Sequence, residues 1–153
     1  MSPTKNHILI LLSSSDKTSF GKEDFATQSL PQKVFSAIWE VESEVNNGGF
    51  AQYFLNSSAE SASFVVAALE TVGAPKTASI CERVIHAAFP TGLPQSVEAI
   101  RSTAASFSDE TLAALGLLDE EFFSYPHNLT DLLFALCSQH PEEFGALPKA
   151  DDA

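Results

Sequence analysis

The sequence predicts an all-α fold: a single compact multi-helix domain with short interhelical turns and an irregular N-terminal arm. Three observations carry that reading. Apolar residues recur at helical spacing from Val34 onward, the periodic stretches are bracketed by Ser, Asn, Pro or Gly, and no stretch shows a rival strand pattern of alternating apolar and polar residues. At 153 residues the chain fits one domain and can bury well over half of the surface its unfolded form exposes. The expected divisions are an irregular arm over 1–30, an acidic helical domain over 31–148 and a tail over 149–153.

The arm is rich in Ser, Thr and Lys around a five-residue apolar run, Ile8 to Leu12, with Phe20 and Phe25 as isolated anchors, so at most one short helix or strand is expected there. Pro31 suits a helix start. A first helix from about Gln32 to Val45 buries Val34, Ile38, Val41 and Val45, widened by Phe35 and Trp39, with Glu40 and Glu44 on the far side. Asn46-Asn47-Gly48-Gly49 then ends it in a sharp reversal, because Asn and Gly tolerate the left-handed conformation that closes a helix terminus. Phe50, Tyr53 and Phe54 give the next short helix an aromatic face that Asn56 brings to an end.

Ser57-Ser58-Ala59-Glu60 reads as a capping box opening a third helix, which buries Ala62, Val65, Val66 and Leu69 and stops at Gly73. Pro75 opens a fourth, with Ala78, Cys81, Val84, Ile85 and Ala88 on one face, closed by Phe89-Pro90. Pro94 starts a fifth, carrying Val97, Ile100 and Ala104. Ser108-Asp109-Glu110-Thr111 starts another, which Gly116 interrupts, and Leu118 to Phe123 follow as a short acidic turn of helix. Tyr125-Pro126 ends that turn. Asn128 caps a last helix that buries Leu129, Leu132, Leu133, Leu136 and Cys137, with Pro141 beyond its end.

Charge narrows the function. The net charge is −12, and from Val34 to Pro148 fifteen acidic residues face three basic ones, Lys76, Arg83 and Arg101. Such a domain repels nucleic acid and anionic membrane, and it attracts basic partners at a rate that falls with salt. The competing reading is a surface kept soluble by its own repulsion. No apolar run approaches the roughly 20 residues that cross a bilayer, and Ile8 to Leu12 falls short of a signal-peptide core. Cys81 and Cys137 sit in helical patterns as reduced thiols would, so a cytoplasmic location is expected.

Catalytic signatures are missing: there is no Gly-rich phosphate loop, no G-x-S-x-G, no H-E-x-x-H and no C-x-x-C. Cys137 and His140 share a helical face at i,i+3, but the spacings of a structural zinc site are not present, and neither metal nor cofactor is expected. Glu40, Glu42, Glu44, Asn46 and Asn47 beside Tyr53 offer a polar pocket for a small ligand or a carboxylate base. Against that, Asn-Asn-Gly-Gly is the chemistry of a tight turn, so Asn46, Asn47, Gly48, Gly49, Phe50, Tyr53 and Phe54 are read as a structural corner. Rows of carboxylates on neighbouring helical turns repel one another, a cost that folding alone does not call for. A partner whose Lys and Arg normally meet phosphates would offset it. Alternatively, Glu42, Glu60 and Asp131 serve as caps and hydrogen-bond partners, with the other acids solvated.

The segment E-V-N-N-G-G-F-A-Q-Y-F-L-N-S-S, Glu44 to Ser58, and the helix ending Ala68 to Ala74 resemble the DNA mimic protein family. So do Phe89-Pro90, Leu117 to Phe123, Asn128 to Phe134 and His140 to Phe144, and the resemblance spans roughly Leu30 to Gly145. Ala59 stands where that family often has Gly. The resemblance implies an all-helical domain and, as in the family's described member, an acidic surface that imitates duplex DNA and binds a helix-turn-helix transcription regulator. Glu40, Glu42, Glu44, Glu70, Asp119, Glu120 and Glu121 lie in or beside the matching segments, and with Asp109 and Glu110 they make the candidate partner surface.

The expectation is therefore a non-enzymatic acidic protein that occupies the DNA-binding surface of a basic partner, a transcription regulator in the first instance. It would not bind nucleic acid directly and would have no membrane role, and a homodimer is left open. One alternative is an immunity or inhibitor protein against a basic toxin or nuclease. Another is an enzyme or small-ligand protein using the Asn46-Asn47-Gly48-Gly49 region.

Overall fold

The structure, a computed structural model, describes residues 2–14 and 20–147. The 149–153 tail lies outside the described residues, and so do parts of the arm. Among the described residues eight α-helices follow in chain order: α1 Ser2–Ser13, α2 Leu30–Leu55, α3 Val65–Thr71, α4 Pro75–Ala88, α5 Val97–Ala104, α6 Asp109–Phe123, α7 Leu129–Gln139 and α8 Pro141–Phe144. Short 3-10 turns cover Phe20–Lys22, Phe25–Thr27 and Ser57–Ser61, and no strand occurs among the described residues. The α2 helix is the hub, packing on α3, α5, α6, α7 and α8.

Its start follows from local chemistry. The Ser29 hydroxyl accepts from the Gln32 amide, the Gln32 side chain accepts in return from the Ser29 amide at 2.9 Å, and Pro31 sits in the first turn. The predicted stripe Val34, Ile38, Val41 and Val45 is fully buried, and Trp39 is half-buried on its flank. The predicted break within Asn46 to Gly49 falls at Gly49: Leu30–Leu55 is two helices meeting there in a kink, and Gly49 alone leaves helical geometry, at φ 80° and ψ 178°. The turn is sharp enough to bring the Asn56 side chain back to Glu44, twelve residues earlier, at 3.1 Å. One glycine makes the whole turn, with Asn46, Asn47 and Gly48 still helical, and the aromatic helix starts at once with Phe50 as expected.

The arm also departs from expectation. It forms a full helix, α1, which docks on α7. There Leu9 and Leu12 are sealed in the core, and the Lys5 ammonium meets Asp131 at 3.2 Å and lies over the Phe134 ring. Further along, Phe20 packs edge-on against Phe35 and Phe144, at centroid separations of 5.3 and 5.0 Å. Such aromatic pairs add about 0.5–1.5 kcal/mol each beyond their area burial.

Three finer expectations are corrected. Ser57 and Glu60 form no capping box. The segment is a 3-10 turn in which Ser58 donates to the Tyr53 carbonyl at 2.9 Å and Ser61 turns inward to the Tyr53 hydroxyl at 2.7 Å. The fifth helix starts at Val97, capped by Ser96, rather than at Pro94. Gly116 interrupts nothing, since α6 runs through it and joins Asp109 to Phe123 in one helix. The caps at Ser108 and Asn128 are as predicted, each side chain accepting from the amide three residues on, at 3.1 and 3.0 Å.

Candidate acidic interface

Three helices carry the nine carboxylates that the sequence assigned to a partner surface: Glu40, Glu42 and Glu44 on α2, Glu70 on α3, and the other five on α6. The α6 helix lies against both α2 and α4, and of its acids Asp119 meets α2 and Glu121 meets α4. Packing divides the nine into engaged and unengaged groups.

Glu40 is not on the solvent side of its helix, as the apolar spacing had suggested. The 3-10 turns before α2 and after it close over this side, and Oε1 of Glu40 is enclosed without a hydrogen-bond donor among the described residues. Burial first, then the neighbouring Glu60 carboxyl, push its pKa up to about 9, against a lesser opposing effect of the Ser61 hydroxyl. It is neutral at pH 7.

Glu42 accepts from the Tyr125 hydroxyl at 2.8 Å, and the Asn46 amide donates to that same hydroxyl at 2.7 Å. Burial raises the Glu42 carboxyl above its usual range while the tyrosine bond opposes the shift, and burial takes Tyr125 up to about 12. Glu44 accepts from Gln52 at 2.6 Å and from Asn56 at 3.1 Å, a staple across the Gly49 kink. On α6, Asp119 Oδ1 accepts from the Phe50 amide at 2.8 Å. That amide opens the second half of α2, so Asp119 caps a helix to which it does not belong. Glu121 takes both arms of the Arg83 guanidinium, at 2.9 and 3.0 Å, which holds its carboxyl below the usual range.

Four of the nine remain exposed with no ion pair among the described residues: Glu70, Asp109, Glu110 and Glu120. Asp109 and Glu110 stand in the first turn of α6, where a helix favours negative charge by about 0.3–1 kcal/mol. Of the domain's three cations, Arg83 is taken by Glu121, and Arg101 donates from Nε to the Leu55 carbonyl at 2.9 Å. The remaining negative charge faces solvent largely uncompensated.

Within the Asn-Asn-Gly-Gly corner, Asn47 and Gly48 are exposed while Phe50, Tyr53 and Phe54 are core residues at 1 % exposure. Sequence reasoning missed Tyr125, whose φ of 48° aims its hydroxyl network at α2 and whose only signal was the Tyr-Pro dipeptide. It also missed His127, whose Nε2 accepts from the Lys76 amide at 3.2 Å, in the first turn of α4. Burial pushes both thiols, Cys81 and Cys137, up to about 12. Among the described residues no group of three His, Cys, Asp or Glu could hold a metal, and no helix is long and apolar enough to cross a membrane.

No curated protein and no solved structure matches the chain. The family model described as DMP19-like protein matches residues 26–140, well over half of the chain, leaving α1 and α8 outside the matched span.

Proposed function

Because the chain belongs to the DMP19-like protein family, we propose that it works without catalysis, as an acidic protein that occupies the DNA-binding surface of a basic partner such as a helix-turn-helix transcription regulator. The observation that supports this most is the set of exposed carboxylates Glu70, Asp109, Glu110 and Glu120, with no ion pair among the described residues, on a domain with fifteen acids and three cations. Positive groups that bind DNA are drawn by the phosphate field more than by base edges, so a protein surface of like sign competes for them. The engaged acids have a second part in this reading: Asp119, and Glu42 through Tyr125, hold α2 to α6 and its end, while Glu44 staples the two halves of α2, and together they fix the field's geometry.

The test uses the protein as bait in an extract of its own host, with identification of the captured partner. A DNA-binding protein should be recovered, duplex DNA should release it, and affinity should fall steeply with salt. Changing Glu70, Asp109, Glu110 and Glu120 together to Gln or Asn should slow association about tenfold or more while the fold persists, since steering of this kind acts on the on-rate. Binding indifferent to salt and to DNA would sink the proposal. Recovery of a basic nuclease or toxin as the partner would instead favour an inhibitor acting through the same face.

A further inference from the structure

The arm, α2 and the 3-10 turn after it flank a half-open cavity of about 140 Å³, room for a small polar head group. Its aromatic lining comes from Phe20, Phe25, Phe35 and Trp39, and the last two are stacked at a centroid separation of 5.5 Å. Three acidic side chains, Glu23, Glu40 and Glu60, also line it. Phe20, Glu23 and Phe25 precede residue 26, so this cavity joins the family-matched domain to a segment outside the match.

Two independent features give it a chemical preference. Among the described residues the buried Oε1 of Glu40 meets no donor, an arrangement that costs about 1–3 kcal/mol until a donor arrives. Of the four rings Phe25 and Trp39 are part-exposed and can take a planar cation, and the Lys33 ammonium already rests 5.5 Å from the Phe25 ring centroid. We propose that this cavity is a binding site for a guanidinium group, whose N–H fork donates to Glu40 and Glu60 while its flat face lies on the aromatic wall. An ammonium fits less well, because it is a compact, strongly hydrated charge with no face to stack and no fork to span two carboxyls. The guanidinium comes either from a small guanidino compound or from an arginine of a partner protein. This inference stands apart from the DNA-surface reading.

Binding is linked to protons. Glu40 holds a proton at pH 7 and gives it up to solvent as the cation enters. The other groups facing it are Glu60 and the Ser61 hydroxyl from the 3-10 turn and Glu44 from α2, with Glu23 on the cavity wall and Lys33 at Phe25. If the cation selects ionised Glu40, its affinity should rise about fiftyfold between pH 7 and pH 9.

Trp39 is the only tryptophan in the chain and lines the cavity, so its fluorescence reports occupancy directly. The probes are methylguanidinium and N-acetylarginine amide, compared with N-acetyllysine amide and with sodium chloride at equal ionic strength. A saturable change with Kd in the millimolar range is expected for the guanidinium probes, weakened at least tenfold by Glu40→Gln and unchanged by Glu120→Gln. Tighter binding of N-acetylarginine amide assigns the source to a protein arginine, and tighter binding of methylguanidinium assigns it to a free compound; either result keeps the site. Equal response to the lysine probe, no saturation up to about 100 mM, or full affinity in Glu40→Gln overturns it. Should Glu40→Gln not fold, proton release measured calorimetrically on the unaltered protein decides, and its absence counts against the site.

Discussion

Adjacent glycines in α2 should respond in opposite ways to the same substitution. Gly49 sits at φ 80° and ψ 178°, a region that side-chain-bearing residues occupy at a cost of about 1–3 kcal/mol. A Cβ added there would also run into the Asp119 carboxylate, displacing it from the Phe50 amide. Loss of such a cap costs roughly 0.5–2 kcal/mol, so Gly49→Ala should destabilise the protein by about 1.5–5 kcal/mol in all. Gly48 is helical and exposed, and a Cβ there meets first the Gln52 side chain, whose amide end can swing away but whose Cβ stays at 3.0 Å. Replacing a helical Gly by Ala gains about 0.5–1 kcal/mol, partly offset if Gln52 leaves Glu44. Gly48→Ala should therefore lie near the parent or slightly above it. Urea unfolding followed by Trp39 fluorescence and by circular dichroism gives both values. Adding Asp119→Ala separates strain from clash: the double variant should cost less than the two single costs summed, because the collision and the lost cap are the same event. If Gly49→Ala stays within about 0.5 kcal/mol of the parent, the kink does not need glycine and the argument fails.

Stability should also respond to pH through Glu40. Its folded pKa lies near 9, above the unfolded value of 4.5, so its contribution is full below pH 4.5 and is lost as pH rises towards 9, on the order of a few kcal/mol. Urea midpoints at pH 5, 7 and 9 should decline for the parent and flatten in Glu40→Gln; parallel curves would remove Glu40 as the cause. Tyr125→Phe leaves Glu42 and Asn46 without the hydroxyl that joins them and should cost about 0.5–1.5 kcal/mol in the same assay. Arg83→Ala should barely change stability, because the Glu121 pair is exposed, yet it frees one more carboxylate and should speed association with a basic partner at low salt. Cys81 and Cys137 should resist a thiol reagent in the native state and react on unfolding, as buried thiols with raised pKa values do; fast native labelling would contradict their burial.

The fold was legible where its signals are local. Ser108 and Asn128 each cap within three residues, Pro31 and Pro75 open helices, and the Val34-Ile38-Val41-Val45 stripe depends on spacing alone. Failures came where the deciding partner is distant. Gly48-Gly49 reads as a stop, and the helix does break at Gly49, but the Asp119 carboxylate that caps its restart lies 69 positions beyond Phe50 and leaves no local signal. Ser57 and Glu60 read as a capping box because nothing in sequence shows Ser61 turning to the Tyr53 hydroxyl. The arm reads as irregular because the burial that stabilises α1 comes from α7. The candidate surface was legible in the same measure. Its charge excess is compositional, whereas the split into engaged Glu42, Glu44, Asp119 and Glu121 and exposed Glu70, Asp109, Glu110 and Glu120 is tertiary.

The bond from Asp119 to the Phe50 amide also sets the rotational phase of α6. Successive residues of an α-helix advance by about 100°, so pinning position 119 inward dictates the azimuth of every other side chain on that rod. Glu120 and Glu121 then point where they do because their neighbour cannot turn. One added residue after Asp119 would keep the cap and the composition while swinging Glu120 and Glu121 a further ~100° around the axis, and one such insertion would test whether a partner reads the amount of negative charge or its bearing.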